Sequence, residues 1–325
     1  MTSILVVCSF RQAHILVAVI LLLCSVDLRA ADARRITTGS NVRLRSAPDT
    51  TASIVTEMPV GTELSVLDQA TSIEAWFHVR NDEGQEGWVV GRLTTSIDAE
   101  HYDDTIQAIV GAQLKDHSEI TGTSFAARVQ LLNLIERTSR RISEPEASAR
   151  FALYRLRSMR DTFDGIPFGG NERDPYRGWL MEHWDAGFYN EPAGAWIVDP
   201  KHVLKIHEQY RGTNTADDIA WFYVANGFPG ECEGYVPCSF GWKDGLEGEY
   251  LRLHPDGRHR DEALTSIAKF LDALGSAHDR DDLACPSLRE PLRSLASAIM
   301  ASSSGGKPSA VIALKRIAEL SALCP

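Results

Sequence analysis

The sequence predicts a multidomain protein in which a small all-β barrel precedes an all-α domain of paired helices. Two observations lead to this prediction. Between Val42 and Leu93, apolar and polar residues alternate in short runs separated by turn residues, which is typical of strands joined by tight turns. From Asp104 onward, apolar residues recur with the 3.6-residue period of amphipathic helices. We place the barrel at residues 34–97 and the helical domain at residues 104–325.

The first 30 residues have the organisation of a cleaved secretory signal peptide. Arg11 gives a weakly basic start, residues 15–26 form an unbroken apolar run, and small residues follow at Ala31 and Ala33. The apolar run is shorter than the roughly 20 residues that a membrane-spanning helix needs, although an uncleaved anchor is the alternative interpretation. We therefore expect an exported protein, periplasmic or extracellular, whose mature chain does not span a membrane.

The acidic composition argues against two classes of partner. The chain has 33 Lys and Arg against 44 Asp and Glu, a formal charge of −11, and removal of residues 1–30 makes the balance slightly more acidic. Nucleic-acid binding requires a basic surface that neutralises phosphates, so we expect no nucleic-acid partner. Electrostatic docking to anionic lipid is disfavoured for the same reason.

The barrel region contains several short strands with turns between them. Leu64 and Val66 alternate with polar residues, so they point to one face of a strand. Gly61 lies between two such runs, where a tight turn needs a permissive backbone. Residues 81–84 (NDEG) form a polar turn between the apolar runs on either side.

This region resembles the bacterial SH3-like (SH3b) family. Four blocks carry the resemblance in the order expected for that family: residues 42–48 (VRLRSAP), 61–62 (GT), 76–79 (WFHV) and 84–89 (GQEGWV). Ala47 stands where the family commonly has glycine. The resemblance implies an SH3-like barrel of five to seven strands that binds a peptide or a cell-wall component, without identifying the ligand.

Four barrel residues are the candidates for ligand binding: Trp76, Trp88, Arg43 and His78. Each tryptophan has two interpretations, because a small barrel needs large apolar side chains in its core and a ligand groove needs exposed indole faces. Arg43 alternates with apolar neighbours and so lies opposite the apolar face, where a solvated role is the alternative. We expect Arg45 to hold a turn by hydrogen bonds to backbone carbonyls.

Four cysteines remain after residue 30, an even number that suggests disulfides in an exported chain. Three pairings are formally open. The most economical one joins Cys232 to Cys238 and Cys285 to Cys324. Zinc binding is the alternative for the first pair, but the surrounding sequence has no paired histidines at ligand spacing, so we expect no metal.

Several helix boundaries in the second domain have local signals. Residues 143–146 (SEPE) predict a start with Ser143 as the N-cap, and Asp199-Pro200 predicts another start with proline in the first turn. Residues 215–218 begin a further helix, which Gly227 closes. Residues 245–274 are weakly similar to one helical hairpin of tetratricopeptide-like proteins.

Residues 165–198 differ from the rest of the second domain, because Gly, Pro, Asn and aromatic residues mix there without a period. We expect an irregular aromatic-rich segment. Such a segment packs as a cap on the helical core or forms a groove for a sugar chain or peptide.

No catalytic motif stands out in the sequence. It has no Gly-x-Ser-x-Gly elbow, no His-Glu-x-x-His and no phosphate-binding glycine loop, so we expect no catalytic residue and no cofactor. Glycosidase carboxylates have no sequence signature, and Glu182, Asp185 and Glu191 are the candidates for that chemistry. The main hypothesis is an exported, non-catalytic protein that binds a cell-envelope component or peptide. A cell-envelope hydrolase and a protein scaffold are the alternatives.

Overall fold

The computed structural model describes residues 33–70, 75–115, 124–227, 232–277, 285–302 and 307–324. The predicted signal peptide lies outside them. Seven antiparallel strands come first, and helices follow. The strands are β1 (Arg34–Thr37), β2 (Val42–Arg45), β3 (Ile54–Met58), β4 (Glu63–Ala70), β5 (Trp76–Asn81), β6 (Glu86–Val90) and β7 (Thr94–Ile97).

The seven strands form one sheet in the order β3-β2-β6-β5-β4-β1-β7. The predicted alternation is present in β2, where Val42 and Leu44 are buried, and in the second half of β5, where Val79 and Asn81 are buried and Arg80 between them is exposed. The buried core of the sheet consists of Val42, Leu44, Met58, Leu64, Val79 and Val89. The expected fold class, a small β domain followed by helices, is confirmed.

Close approach of β2 and β6 depends on Gly87. A Cβ atom at this position would lie 2.6 Å from the carbonyl oxygen of Arg45 and 2.9 Å from Cγ of Leu44. Real Cβ atoms do not tolerate such distances, so only glycine lets the two strands pack at this point. Gly61 and Gly84 adopt positive φ angles of 76° and 80° in the turns where the sequence placed them.

Two helices belong to the same compact unit as the sheet, which extends to Leu134. They are α1 (Tyr102–Lys115) and α2 (Phe125–Ser139), and the unit ends within α2. Gln113 donates through Nε2 to the carbonyl oxygen of Thr38 at 3.0 Å, which fixes α1 to the loop after β1.

The second compact unit begins at Ile135 and consists mainly of helices. They are α3 (Pro145–Asp164), α4 (Tyr176–Glu182), α5 (Pro200–Gln209), α6 (Thr215–Asn226), α7 (Val236–Lys243), α8 (Glu249–Leu253), α9 (Arg260–Ala277), α10 (Cys285–Ser302) and α11 (Pro308–Leu323). A π-helical turn, Asp244–Gly248, joins α7 to α8. None of the helices in the described ranges combines the length and apolar character needed to cross a membrane.

The aromatic-rich segment at 165–198 contains more regular structure than its composition suggested. After α4, strands β8 (Gly187–Asn190) and β9 (Ala195–Val198) pair as an antiparallel hairpin. Phe163 is 1 % exposed and packs edge-on against Trp179, with ring centroids 5.2 Å apart. Gly187 makes room for it, because a Cβ atom there would overlap the Phe163 ring. The hairpin therefore covers the end of α3.

Helices α6 to α11 surround a second buried core. Its largest side chains include Phe240, Tyr250, Leu264 and Leu295, all fully buried. The structure pairs Cys232 with Cys238 and Cys285 with Cys324, the pairing that the sequence analysis preferred, with Cα atoms 5.5 and 4.9 Å apart. The second pair joins the start of α10 to the end of α11.

Candidate ligand-binding surface

Four side chains form a row across the outer face of the barrel sheet. In the register of the sheet, Arg45 of β2 lies opposite Trp88 of β6, and Trp88 lies opposite His78 of β5. His78 in turn lies opposite Asp68 of β4. Paired positions on neighbouring strands share one face of a sheet, so the four side chains follow one another across four strands. We call these residues, Arg45, Trp88, His78 and Asp68, the outer row.

Strand alternation explains why the outer row faces away from the core. In β6, Gly87 and Val89 are buried against the core side, so Trp88 between them points outward and is half-buried. Val79 is completely buried in β5, and His78 before it points to the same outer face as Trp88.

The imidazole of His78 stacks on the indole of Trp88. Their ring centroids are 4.9 Å apart and their planes make an angle of 26°. Such a contact orients both rings without burying either of them completely. The result is a preformed aromatic surface with access to solvent.

Charged groups flank this aromatic pair. Arg45 donates through Nη1 to the carbonyl oxygen of Ala52 at 2.6 Å, which confirms its expected role in holding the turn after β2. Arg80 and Glu86, each two residues from His78 or Trp88 along its strand and therefore on the same face, form an ion pair through Nε and Oε1 at 2.8 Å. The outer row itself ends in the cation Arg45 and the anion Asp68.

The other two candidates lie away from the aromatic pair. Trp76 shares the face of His78 in β5 but is only 4 % exposed, so its indole contributes to packing rather than to an open surface. Arg43 is exposed on β2 and pairs with Glu57 of β3, with Nε and Oε1 3.2 Å apart. The structure thus brings His78 and Trp88 together, and it leaves Trp76 and Arg43 outside that contact.

Sequence reasoning did not find Asp68 as a neighbour of His78. A register shift in β4 between Val66 and Asp68 places Asp68, rather than Leu67, opposite His78. Such a bulge depends on the pairing of two strands, so it could not be read from the sequence of β4 alone.

A further basic side chain stabilises the barrel beneath β5. Arg35 of β1 lies over the ring of Phe77, with Cζ 4.1 Å from the ring centroid. It donates through Nε to Oγ1 of Thr94 at 2.7 Å. Burial lowers the pKa of this guanidinium, but its ordinary value is so high that it stays charged. Its role is therefore structural.

The geometry of the sheet agrees with the comparison to known proteins. Residues 40–95 match the family model of the bacterial SH3 domain. No curated protein and no solved structure matches the chain. The match runs from just before β2 to the second residue of β7 and includes the whole outer row, so the row belongs to a bacterial SH3 domain. Domains of this family bind peptide or cell-envelope ligands.

The acidic residues considered for hydrolysis are dispersed over the second unit. Glu182 ends α4 and Glu191 occupies the turn between β8 and β9, both exposed to solvent. Asp185, also exposed, lines a cavity with His202 and Arg155. Glu182 and Glu191 do not line this cavity, so the structure does not bring the three acidic residues together there.

Proposed function

We propose that the protein is an exported, non-catalytic binding protein whose bacterial SH3 domain recognises a cell-wall component or a peptide through the outer row. The observation that carries the proposal is the solvent-accessible stack of His78 on Trp88 within the matched domain. A ligand that contacts this stack meets rings that are already oriented, which reduces the conformational entropy lost on binding.

The charges at the two ends of the outer row favour a particular kind of ligand. Arg45 can attract an anionic group and Asp68 a cationic one, with the aromatic pair between them. A peptide segment, or a cell-wall fragment that carries peptide, has amide groups, both charges and apolar side chains. Such ligands match the row better than a uniformly charged polymer does.

Two further observations support export and a second interaction surface. Disulfide pairs such as Cys285–Cys324 persist in oxidising compartments, which agrees with a secretory signal. The second unit exposes large apolar side chains in its aromatic-rich segment: Phe168, Met181 and Trp184 are 84, 72 and 75 % exposed. We propose that the helical unit offers these side chains to a protein of the cell envelope.

The proposal is tested by retention of the protein on purified cell walls. Trp88→Ala removes one ring of the stack, so we expect retention to fall about tenfold, because aromatic residues at the centre of an interface carry much of its binding energy. Tyr235→Ala is the matched control, since it removes an exposed aromatic side chain that belongs to neither proposed surface and should leave retention on cell walls unchanged. Amide hydrogen exchange of residues 42–93 checks that the barrel remains folded.

The same experiment separates the alternative functions. Release of soluble sugar or peptide fragments, abolished by Glu182→Gln or Glu191→Gln, would replace the proposal by a hydrolase. If the protein bound neither cell walls nor cell-wall peptides, and released no fragments, the scaffold hypothesis would replace the proposal. Equal loss of retention for Trp88→Ala and Tyr235→Ala would exclude the outer row as the specific site.

A further inference from the structure

A cavity in the second unit lies between α3 and α5. It has a volume of about 350 Å³, which is within the usual range for small-molecule sites. A cavity of about 150 Å³ is enough for benzene, so this one admits roughly two groups of that size. Its lining comes from the end of α2, from α3 and α5, and from the segment before β8: Ser139, Ile142, Ser148, Phe151, Ala152, Arg155, Asp185, His202, Lys205, Ile206, Gln209 and Tyr210.

Two helices present matching faces to this cavity. The lining residues of α3 lie at positions 148, 151, 152 and 155, and those of α5 at 202, 205, 206 and 209. Both sets follow the spacing i, i+3, i+4, i+7, which places each on a single face of its helix. The cavity is therefore built on regular elements, which hold side chains in more definite positions than loops do.

Each face combines apolar and basic groups. Phe151 is 1 % exposed and Ile206 is 9 % exposed, so both form an apolar floor. Arg155 of α3 and Lys205 of α5 add positive charge to the same cavity. Asp185 is the single acidic residue of the lining, and Glu136, outside the lining, forms an ion pair with Arg155, so two carboxylates accompany the two cations.

The guanidinium of Arg155 is held in a defined orientation. Its Nε donates to Oε1 of Glu136 at 2.9 Å, and its Nη1 lies 3.2 Å from Nε2 of His202. Arginine can only donate, so Nε2 of His202 is the acceptor and the proton of this neutral imidazole lies on Nδ1. Burial and, to a smaller extent, the charge of Arg155 lower the pKa of His202, in agreement with a neutral ring.

Part of the hydrogen-bonding capacity of these cations is uncommitted. Within the part of the chain that the structure describes, Nη2 of Arg155 makes no hydrogen bond and Lys205 forms no ion pair. A planar guanidinium and an ammonium together suit a carboxylate.

We propose that this cavity binds a small organic monocarboxylate with an apolar body. The carboxylate lies against Arg155 and Lys205, and the apolar body rests on Phe151 and Ile206. The carboxylates of Glu136 and Asp185 near these cations repel a dianion such as phosphate more strongly than a monoanion. This site is separate from the outer row of the barrel, so neither proposal depends on the other.

The test uses the whole secreted chain and calorimetric titration with N-acetylphenylalanine. Its uncharged relative, N-acetylphenylalaninamide, has the same ring and backbone without the carboxylate. We expect the acid to bind at least about tenfold more tightly than the amide. We also expect inorganic phosphate to bind more weakly than the acid. Equal binding of acid and amide, stronger binding of phosphate, or no saturable binding of the acid would each overturn the proposal.

A pair of variants on one helix assigns the binding to the cavity. Lys205→Met removes a lining cation and should weaken binding of N-acetylphenylalanine about fivefold. Lys201→Met removes an exposed cation of the same helix that does not line the cavity, and it should bind like the parent protein. Equal weakening by both variants would indicate a general charge effect and would also overturn the assignment.

Discussion

The side chains of His207 and His254 share a hydrogen bond, with their Nε2 atoms 2.8 Å apart. The rings are nearly perpendicular, at 84°, and the contact joins α5 to the end of α8. Only one proton can lie between the two nitrogens, so one imidazole donates and the other accepts, and the two rings cannot both be protonated without loss of the bond. His207 is 3 % exposed, which makes that protonation still less favourable.

This pair predicts loss of stability in mild acid. Burial and, to a smaller extent, His254 lower the pKa of His207, and burial lowers that of His254. Their stabilising contribution is complete above the unfolded-state pKa of about 6.5 and is lost as the pH falls through the lower folded-state values. We expect the free energy of unfolding, measured in urea, to decrease from pH 7 to pH 5.

Two variants identify the source of that decrease. His207→Gln keeps a hydrogen-bonding group but cannot become charged, so the decrease between pH 7 and pH 5 should become shallower. His101→Gln replaces a histidine whose side chain is 63 % exposed, and it should leave the decrease unchanged. An identical pH dependence in His207→Gln and the parent protein would contradict the prediction.

A second buried polar contact predicts the effect of losing one hydroxyl group. Tyr250 is completely buried, donates to Oδ1 of Asp217 at 2.5 Å and accepts from the backbone N–H of His259 at 3.0 Å. Tyr250→Phe leaves both partners without this hydroxyl, so we expect the free energy of unfolding to fall by about 1–3 kcal/mol in urea. Tyr235→Phe is the control, because Tyr235 is 53 % exposed and should lose less than about 0.5 kcal/mol.

Local sequence signals were sufficient to predict features that depend on one short segment, such as the start of a helix. Asp199 caps α5 as predicted, because its side chain accepts from the backbone N–H of Lys201 and Pro200 fits the first turn. At α3 the cap is Glu144 rather than Ser143, and its carboxylate accepts from two backbone N–H groups. The motif located the helix start within one residue, but it could not choose between two adjacent side chains that are both able to accept hydrogen bonds.

Features that depend on distant segments were not predictable from a local pattern. The sequence of the hairpin at residues 187–198 has no clear alternation of apolar and polar residues. Its short strands are held by packing against Phe163. The cavity needs Arg155 and His202, which are 47 positions apart and meet only when α3 and α5 pack together. Alternation showed that Trp88 and Val89 face opposite sides, but only the folded sheet decided which side was the core.

The close contact at Gly87 predicts a specific destabilisation of the barrel. Gly87→Ala places a Cβ atom against the backbone of Arg45, so β2 and β6 must separate, and we expect a loss of about 1–3 kcal/mol. Gly39→Ala is the control, since no atom lies within 4 Å of the added group. Amide hydrogen exchange of the barrel strands measures both effects. Equal protection of these strands in both variants would contradict the prediction.

The two disulfides should stabilise the second unit to different degrees. Cys285–Cys324 closes a separation of 39 residues and Cys232–Cys238 one of 6. In the chain-entropy model, removing the disulfide that closes the longer loop lowers the free energy of unfolding by about 4 kcal/mol, and removing the other lowers it by about 2 kcal/mol. Replacing each pair by serine and measuring urea unfolding tests this order. A larger loss for the shorter loop would show that native contacts around it, rather than the entropy of the unfolded chain, dominate its contribution.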